Sequence, residues 1–267
     1  MKTKMFFVLL LTATSFCAQA QSIYVRAGLG AAICTSPQIN YQYTDITEGG
    51  TQHTVEAKRG GLGNGLPIFL AAGYYFSDNF GVELGVDYFN GFNSKKVDND
   101  NGVTSTYKEH GSMLAIVPAF VMKLNQDKFK PYARLGIMIG VLNSEKYVLA
   151  MSNNSRAYTS KDYGGIAIGA QAALGADIPL GDMFSVFGEV NLDAISWAPK
   201  KGKFTKHSSN GTDDLANLTT KDKTWVYEKS YDKAQHIADS EPNKVALTNY
   251  SFANVGLVVG VKINIGK

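Results

Sequence analysis

Phe80-Gly81-Val82-Glu83-Leu84-Gly85-Val86-Asp87-Tyr88 alternates without a break. Its even positions are all apolar, and its odd positions are glycine or carboxylate. A period of two residues is that of a β-strand, whose successive side chains leave opposite faces. One face of this strand suits hydrocarbon and the other carries two acids, so the strand separates an apolar phase from a polar one. The pattern returns in seven more segments. Before it come Ile23, Val25, Ala27, Leu29, Ala31 and then Ile68, Leu70, Ala72, Tyr74, Phe76. After it come Leu114, Ile116, Pro118, Phe120, Met122; Ala133, Leu135, Ile137, Ile139, Val141; and Ile166, Ile168, Ala170, Ala172, Leu174, Ala176, Ile178. The last two sets are Phe184, Val186, Gly188, Val190, Leu192, Ala194 and Ser251, Ala253, Val255, Leu257, Val259, Val261, Ile263, Ile265. These 46 positions hold no Asp, Glu, Lys or Arg, whereas an 18% charged composition would place about eight there by chance.

A membrane crossing by helices needs about 20 consecutive apolar residues; the N-terminal apolar run is too short for that, and no later segment offers a long uncharged one. The remaining solution is a closed barrel, in which every backbone N–H and C=O pairs with a neighbouring strand. The connections agree with closure. Ser77-Asp78-Asn79, Leu124 to Lys130 and Pro179 to Met183 are short, polar and turn-forming. The other four connections are long, roughly residues 32–66, 90–111, 143–163 and 198–248. Short turns alternating with long loops is the arrangement of outer-membrane barrels, with turns in the periplasm and loops outside. The fold class expected is therefore all-β, an eight-stranded antiparallel transmembrane barrel. Phe76, Phe80, Phe129, Tyr132 and Phe184 beside the turns, and Tyr88, Phe89, Phe92, Trp197 and Tyr250 beside the loops, read as two interfacial girdles. Pro118 lacks a backbone donor in mid-strand and predicts a bulge or a register slip.

Residues 1–20 read as a secretory signal peptide. Lys2 and Lys4 form a basic start, Met5 to Leu11 an apolar core, and Ala18-Gln19-Ala20 a small-residue cleavage site. The barrel then occupies 21–267. Of 26 basic and 23 acidic side chains, removal of Lys2 and Lys4 leaves 24 against 23, a net charge of +1. That balance implies no nucleic acid or acidic partner. Cleavage also removes Cys17, so Cys34 cannot form an internal disulfide.

Lys130-Pro131-Tyr132-Ala133-Arg134-Leu135-Gly136 resembles the small OmpA/OmpX-type outer-membrane barrels, as do residues 81–88, Phe187-Gly188-Glu189-Val190-Asn191-Leu192 and Gly256-Leu257-Val258-Val259-Gly260-Val261-Lys262. The likeness covers the strands, about a third of the mature chain. It implies export to the cell outer membrane of a Gram-negative envelope, insertion by the outer-membrane assembly machinery, and an interior filled by side chains. Many such proteins end on an aromatic residue, whereas this chain ends Ile265-Gly266-Lys267.

The inward parity carries Arg26, Glu83, Asp87, Arg134, Asp177, Glu189, Asp193 and Lys262 among many glycines and alanines. Measured from the turn end, Arg26, Glu83, Arg134 and Lys262 lie about three or four residues in and Glu189 about five, so one layer of the lumen can hold them all. Buried charges must be paired, which predicts ion pairs drawn from Arg26, Glu83, Arg134, Glu189 and Lys262. Such a layer is a plug in the plain reading and a selectivity ring in the functional one. The glycines predict open space and water near the axis.

Chemistry is sparse. His53, His110, His207 and His236 fall in loops, with no Ser or Asp at a spacing that fixes a catalytic geometry. The outward sets contain Ser251 and no histidine, so the lipid-facing His-Ser pair of lipid A deacylase barrels is missing. Asp98-Asn99-Asp100-Asn101-Gly102 with Glu109 has its glycine one position early for a calcium loop, and no helix flanks it. No catalytic residue, cofactor or metal is expected. Lys200, Lys201 and Lys203, with Lys206, would sit beside the outer rim, where they could hold glycolipid phosphates. Thr224 to Glu228 could extend a hairpin above the membrane. The function expected is a non-enzymatic, porin-like outer-membrane barrel acting in envelope integrity or surface recognition through its extracellular loops, with lipid, lipopolysaccharide and an extracellular ligand as partners. The alternative is a narrow pore or hydrophobic-ligand conduit through the glycine-rich lumen.

Overall fold

A computed structural model describes residues 22–265 apart from 37, 48–50, 101, 125, 127, 233 and 235. The expected signal peptide lies outside the described residues. Eight strands form the wall: β1 (Ser22–Cys34), β2 (Gly65–Tyr75), β3 (Phe80–Gly91), β4 (Val103–Lys123), β5 (Lys130–Met151), β6 (Ala167–Pro179), β7 (Phe184–Trp197) and β8 (Asn254–Ile265). Each pairs antiparallel with the next. β8 returns to β1 in an unbroken register from Ile23 opposite Ile265 to Cys34 opposite Asn254. Closure leaves no edge strand in the wall. Among the described residues no helix is long and apolar enough to cross a membrane.

Polarity is inverted relative to a water-soluble protein. Leu29 is 63% exposed, Leu135 65%, Leu174 69% and Leu257 68%, while Arg26, Glu83, Arg134 and Glu189 are each 5% exposed or less. The apolar parity faces outward along every wall strand, the arrangement that hydrocarbon stabilises and water does not. Phe76, Phe80, Phe129 and Phe184 face outward near the turns, and Tyr88 and Phe92 near the loops. The expected girdles need one correction. Tyr132, Phe89 and Trp197 are buried in the interior, because they share the strand parity of Arg134, Asp87 and Ile195. Tyr250 stacks on Trp197 from inside, with ring centroids 5.6 Å apart.

Pro118 leaves a gap in the wall. The ladder between β4 and β5 joins Ile116 to Ile139 and Ala119 to Gly136 in one register, but Val117 and Pro118 have no partner on β5. Pairing to β3 continues through Gly85–Val117 and Leu84–Pro118. The missing proline donor therefore belongs on the β5 side. The bulge expected there lies higher, between Leu114 and Ala115, where the register steps past Val141.

The long connections carry strands of their own. β4 and β5, 21 and 22 residues long, exceed the 9–11 residues a tilted crossing needs, and their loop-side halves rise beyond the apolar belt. Arg156–Tyr163 pairs with the end of β5, Lys201–Ser209 with Arg156–Tyr163, and Thr224–Glu228 with the start of Lys201–Ser209. Asn243–Ala246 adds a parallel edge. On the other flank Ser94–Asp100 pairs with β4 and meets the hairpin Gln38–Thr47/Thr51–Gly60 at Thr44 and Asn99. The result is a crown of β-sheet above one rim. Asn210 and Gly211, both at positive φ (50° and 77°), make the two-residue turn after Lys201–Ser209, a geometry that Asn-Gly supplies at little cost. One aromatic ring per strand lines the crown's inner face: Tyr107, Tyr147, Tyr158, Phe204 and Trp225, with successive centroids 6.1, 6.0, 5.0 and 5.3 Å apart. Such cross-strand aromatic pairs hold neighbouring strands together.

Candidate functional site: the lumen and its crown

Four charged side chains meet low in the lumen, one from each odd-numbered wall strand. Arg26 (β1), Glu83 (β3), Arg134 (β5) and Glu189 (β7) alternate in sign around a closed ring. Arg26 Nη2 lies 3.0 Å from Glu189 Oε2, and Arg134 Nη2 lies 2.9 Å from Glu189 Oε1. Glu83 contacts Arg26 Nε at 3.0 Å and Arg134 Nη1 at 3.3 Å. Arg26 Nε and Glu83 Oε1 nevertheless have no aligned hydrogen bond, so these two contacts are ionic only. Tyr24 donates to Glu83 Oε2 at 2.9 Å, and Tyr132 donates to Glu189 Oε2 at 2.7 Å while accepting from Arg26. Phe69 and Phe187 face the Arg26 guanidinium at 4.7 and 4.8 Å. The two charges of each sign cancel, which makes full burial tolerable.

Lys262 does not join this ring. It belongs to a second layer drawn from the even-numbered strands, since side chains of alternate strands share a level in small barrels. There Lys262 Nζ lies 2.6 Å from Asp177 Oδ2 and 3.3 Å from the Tyr75 hydroxyl, and Lys123 covers the Tyr75 ring at 3.8 Å. Tyr24 and Tyr132 share the inward parity of Arg26 and Arg134 on their strands, whereas Tyr75 and Lys123 lie on strands with no other charge at this depth to mark the inward face. The glycines do not leave open space at this depth. A Cβ on Gly73 would meet the Tyr24 ring at 2.1 Å, so the glycine exists to admit the tyrosine.

Above the ring, Arg134 donates to Gln171 at 2.7 Å, and Gln171 donates to Asp87 at 2.9 Å. A cavity of about 20 Å³ lies here between Asp87, Gln171, Asn191 and Asp193 and the side chains of Phe89 and Met138, room for about one water. The outer third of the lumen is apolar, packed with Phe89, Met113, Val117, Met138, Trp197 and Phe252. A separate depression of about 580 Å³ opens at the Pro118 gap. Its lining mixes lipid-facing Val82, Phe120, Leu135 and Ile137 with lumen-facing Glu83 and Gln171.

The crown has its own charged centre. Glu145 and Asp162 lie directly opposite on neighbouring strands, and both are buried. Asp162 accepts from Trp225 Nε1 at 3.1 Å, Tyr227 at 2.6 Å and Tyr250 at 2.9 Å, which ties residues 225–250 down onto the crown. Gly202 makes room for this knot, since a Cβ there would strike Trp225 and Asp162. Burial, then the Asp162 and Glu109 carboxylates, push the Glu145 carboxyl up to about 8. Burial also raises Asp162, against its three donors. His207, without an evident partner in the sequence, meets the Asp214 carboxylate through Nδ1. Lys201 and Lys203 are exposed on the face opposite buried Gly202, and Lys200 is exposed just before that strand. Cys34 is half-buried and free, and among the described residues no group of His, Cys, Asp or Glu could hold a metal.

A closed antiparallel barrel with a charged interior and an apolar exterior is a transmembrane barrel of the outer-membrane kind. Residues 6–215 match the family model described as "Outer membrane protein beta-barrel domain", and the chain belongs to that family. Among solved structures it is similar to the outer membrane protein OprG from Pseudomonas aeruginosa, at 15% identity and a TM-score of 0.45 over 93% of this chain and 97% of that one. Neisserial surface protein A matches at 10% identity and 0.36, over 92% and 100%. Ail, the attachment invasion locus protein of Yersinia pestis, in complex with the heparin analogue sucrose octasulfate, matches at 9% and 0.31, over 92% and 97%. No curated protein matches the chain.

Proposed function

We propose that this chain is a non-conducting, non-enzymatic outer-membrane barrel that acts at the cell surface, in envelope integrity or surface recognition, through its extracellular crown. The observation that carries this reading is the four-membered ring: Arg26, Glu83, Arg134 and Glu189 meet across the lumen and their charges cancel in pairs, so the ring fills the passage and presents no net charge to a permeating ion. The crown supplies what a recognition surface needs, side chains held in place by cross-strand pairs and by the Asp162 knot. Purified barrel in planar bilayers is expected to be silent; steady, ion-selective conductance steps would overturn the reading.

A second reading, the hydrophobic-ligand conduit, is favoured by the depression at Pro118. An apolar solute entering the outer, apolar third of the lumen would meet the charged ring as a floor and the strand gap as a way out sideways. Pro118→Val restores the missing backbone donor toward β5. On the conduit reading it slows uptake of an apolar fluorophore into cells carrying the barrel; equal uptake by both forms removes this reading and leaves the first.

A further inference from the structure

The crown's outer face carries an unbalanced basic band. In the register of the crown Lys146 stands directly opposite Lys161, and Lys161 directly opposite Lys203. Lys95 stands opposite Lys108 one strand further round. Lys201 and Lys206 continue the band on the strand that carries Lys203. All seven are exposed, and none has a carboxylate partner among the described residues. Glu109, Glu145 and Asp162 occupy the inward parity of the same strands, so they do not neutralise the lysines from behind. Like charges directly opposite on adjacent strands destabilise a sheet, and a row of three needs an anion from outside the chain.

The height of the band identifies that anion. Lys146 follows Leu142, 68% exposed, by four positions; Lys161 precedes Ile166, 66% exposed, by five. Four residues of strand tilted by about 40° rise about 10 Å. The interfacial zone extends about 5–8 Å beyond the hydrocarbon, and a lysine stem can bend its ammonium several ångströms back toward it. The band thus meets lipid headgroups at the level of their phosphates and continues the lipid-facing belt without interruption.

We propose that Lys146, Lys161 and Lys203, flanked by Lys95, Lys108 and Lys201, bind the phosphate groups of glycolipid in the leaflet surrounding the crown. This goes beyond surface recognition, because it concerns the opposite face of the crown and a partner within the same membrane. Attraction of about 1 kcal/mol for each lysine near an anionic surface is about a fivefold factor, so three together give about 100-fold. The test titrates purified barrel in neutral detergent with diphosphorylated lipid A. The triple variant Lys146→Gln, Lys161→Gln, Lys203→Gln is expected to bind about 100-fold more weakly, and the corresponding triple arginine variant to bind like the native chain. Dephosphorylated lipid A is expected to bind neither. Equal binding by the native and glutamine forms would overturn the proposal, as would equal binding of dephosphorylated lipid A. Soluble polyphosphate binding as tightly as lipid A would show a site for free anions and would also overturn it. Outward lysines lie outside the packed interior, so the glutamine variant keeps its fold, checked by the heat-dependent gel shift of the barrel.

Discussion

Removing one carboxylate from the lumen ring tests whether the ring holds the barrel together, and the two carboxylates are not equivalent. Glu189 accepts aligned bonds from Arg26 at 3.0 Å, Arg134 at 2.9 Å and Tyr132 at 2.7 Å. Glu83 accepts one, from Tyr24 at 2.9 Å, and its two arginine contacts lack alignment. Breaking a buried ion pair by deleting one partner costs about 3–5 kcal/mol, because the other charge is left buried and unanswered. Glu189→Gln strands two guanidinium groups that then share Glu83 through imperfect contacts, and the full range applies. Glu83→Gln leaves both arginines bonded to Glu189 and forfeits chiefly one charge-assisted bond and two ionic contacts, about 2–3 kcal/mol. Unfolding by urea in lipid vesicles, followed by tryptophan fluorescence and by the gel shift of the folded barrel, measures both. The expected order of stability is native, then Glu83→Gln, then Glu189→Gln. A cycle pairing Glu189→Gln with Arg134→Met should show a coupling of about 1–3 kcal/mol. Two variants as stable as the native chain, or Glu83→Gln the weaker of them, would refute the reasoning.

Two further outcomes concern the crown. Asp162→Ala removes the acceptor shared by Trp225, Tyr227 and Tyr250, so residues 225–250 should become accessible to limited proteolysis while the gel shift of the barrel stays native; an unchanged digestion pattern would show that the knot holds nothing. Glu145, with its carboxyl raised to about 8 by burial and by the facing acids Asp162 and Glu109, binds a proton more tightly folded than unfolded. Its contribution is therefore fully present below about 4.5, the unfolded value, and is lost as pH rises through about 8. Among the described residues Lys96, beside Glu109, and Arg156, over Tyr158, are the inward-facing cations of this region, and neither lies opposite Glu145. Amide exchange of residues 143–151, corrected for its intrinsic pH dependence, should show protection falling between about pH 5 and 8; protection that rises would contradict the sign.

The wall was legible because its physics is local. Each strand had to keep one parity free of charge, and a mistaken register would have put Glu83 or Arg134 into hydrocarbon. The ring was legible for the same reason, since Arg26, Glu83, Arg134 and Glu189 lie at similar depth on inward positions. Lys262 joins Asp177 and not the ring, because depth along one strand does not reveal which strands share a level; that follows from stagger around the closed barrel. Proximity to the rims suggests the girdles for Tyr132, Phe89 and Trp197, whereas their strand parity places them inside. The crown leaves less trace in the sequence. Its strands lack an apolar face, so alternation gives no signal, and pairing is carried by one aromatic per strand and by long-range register. One local mark was present, Asn210-Gly211, the usual sequence of a two-residue hairpin. The opposition of Lys146, Lys161 and Lys203 had no sequence mark at all, because it joins residues from three strands.

The alternation of the ring among β1, β3, β5 and β7 also bears on the order in which the chain can enter a bilayer. A sheet inserted only as far as β6 presents, at the level of the ring, two guanidinium groups with one carboxylate between them, a locally unbalanced stripe that acyl chains would reject. Glu189 arrives with the seventh strand, and the eighth must still zip to the first before that stripe is hidden from lipid. Partly threaded intermediates are thereby penalised, so insertion and circularisation should occur as one concerted event.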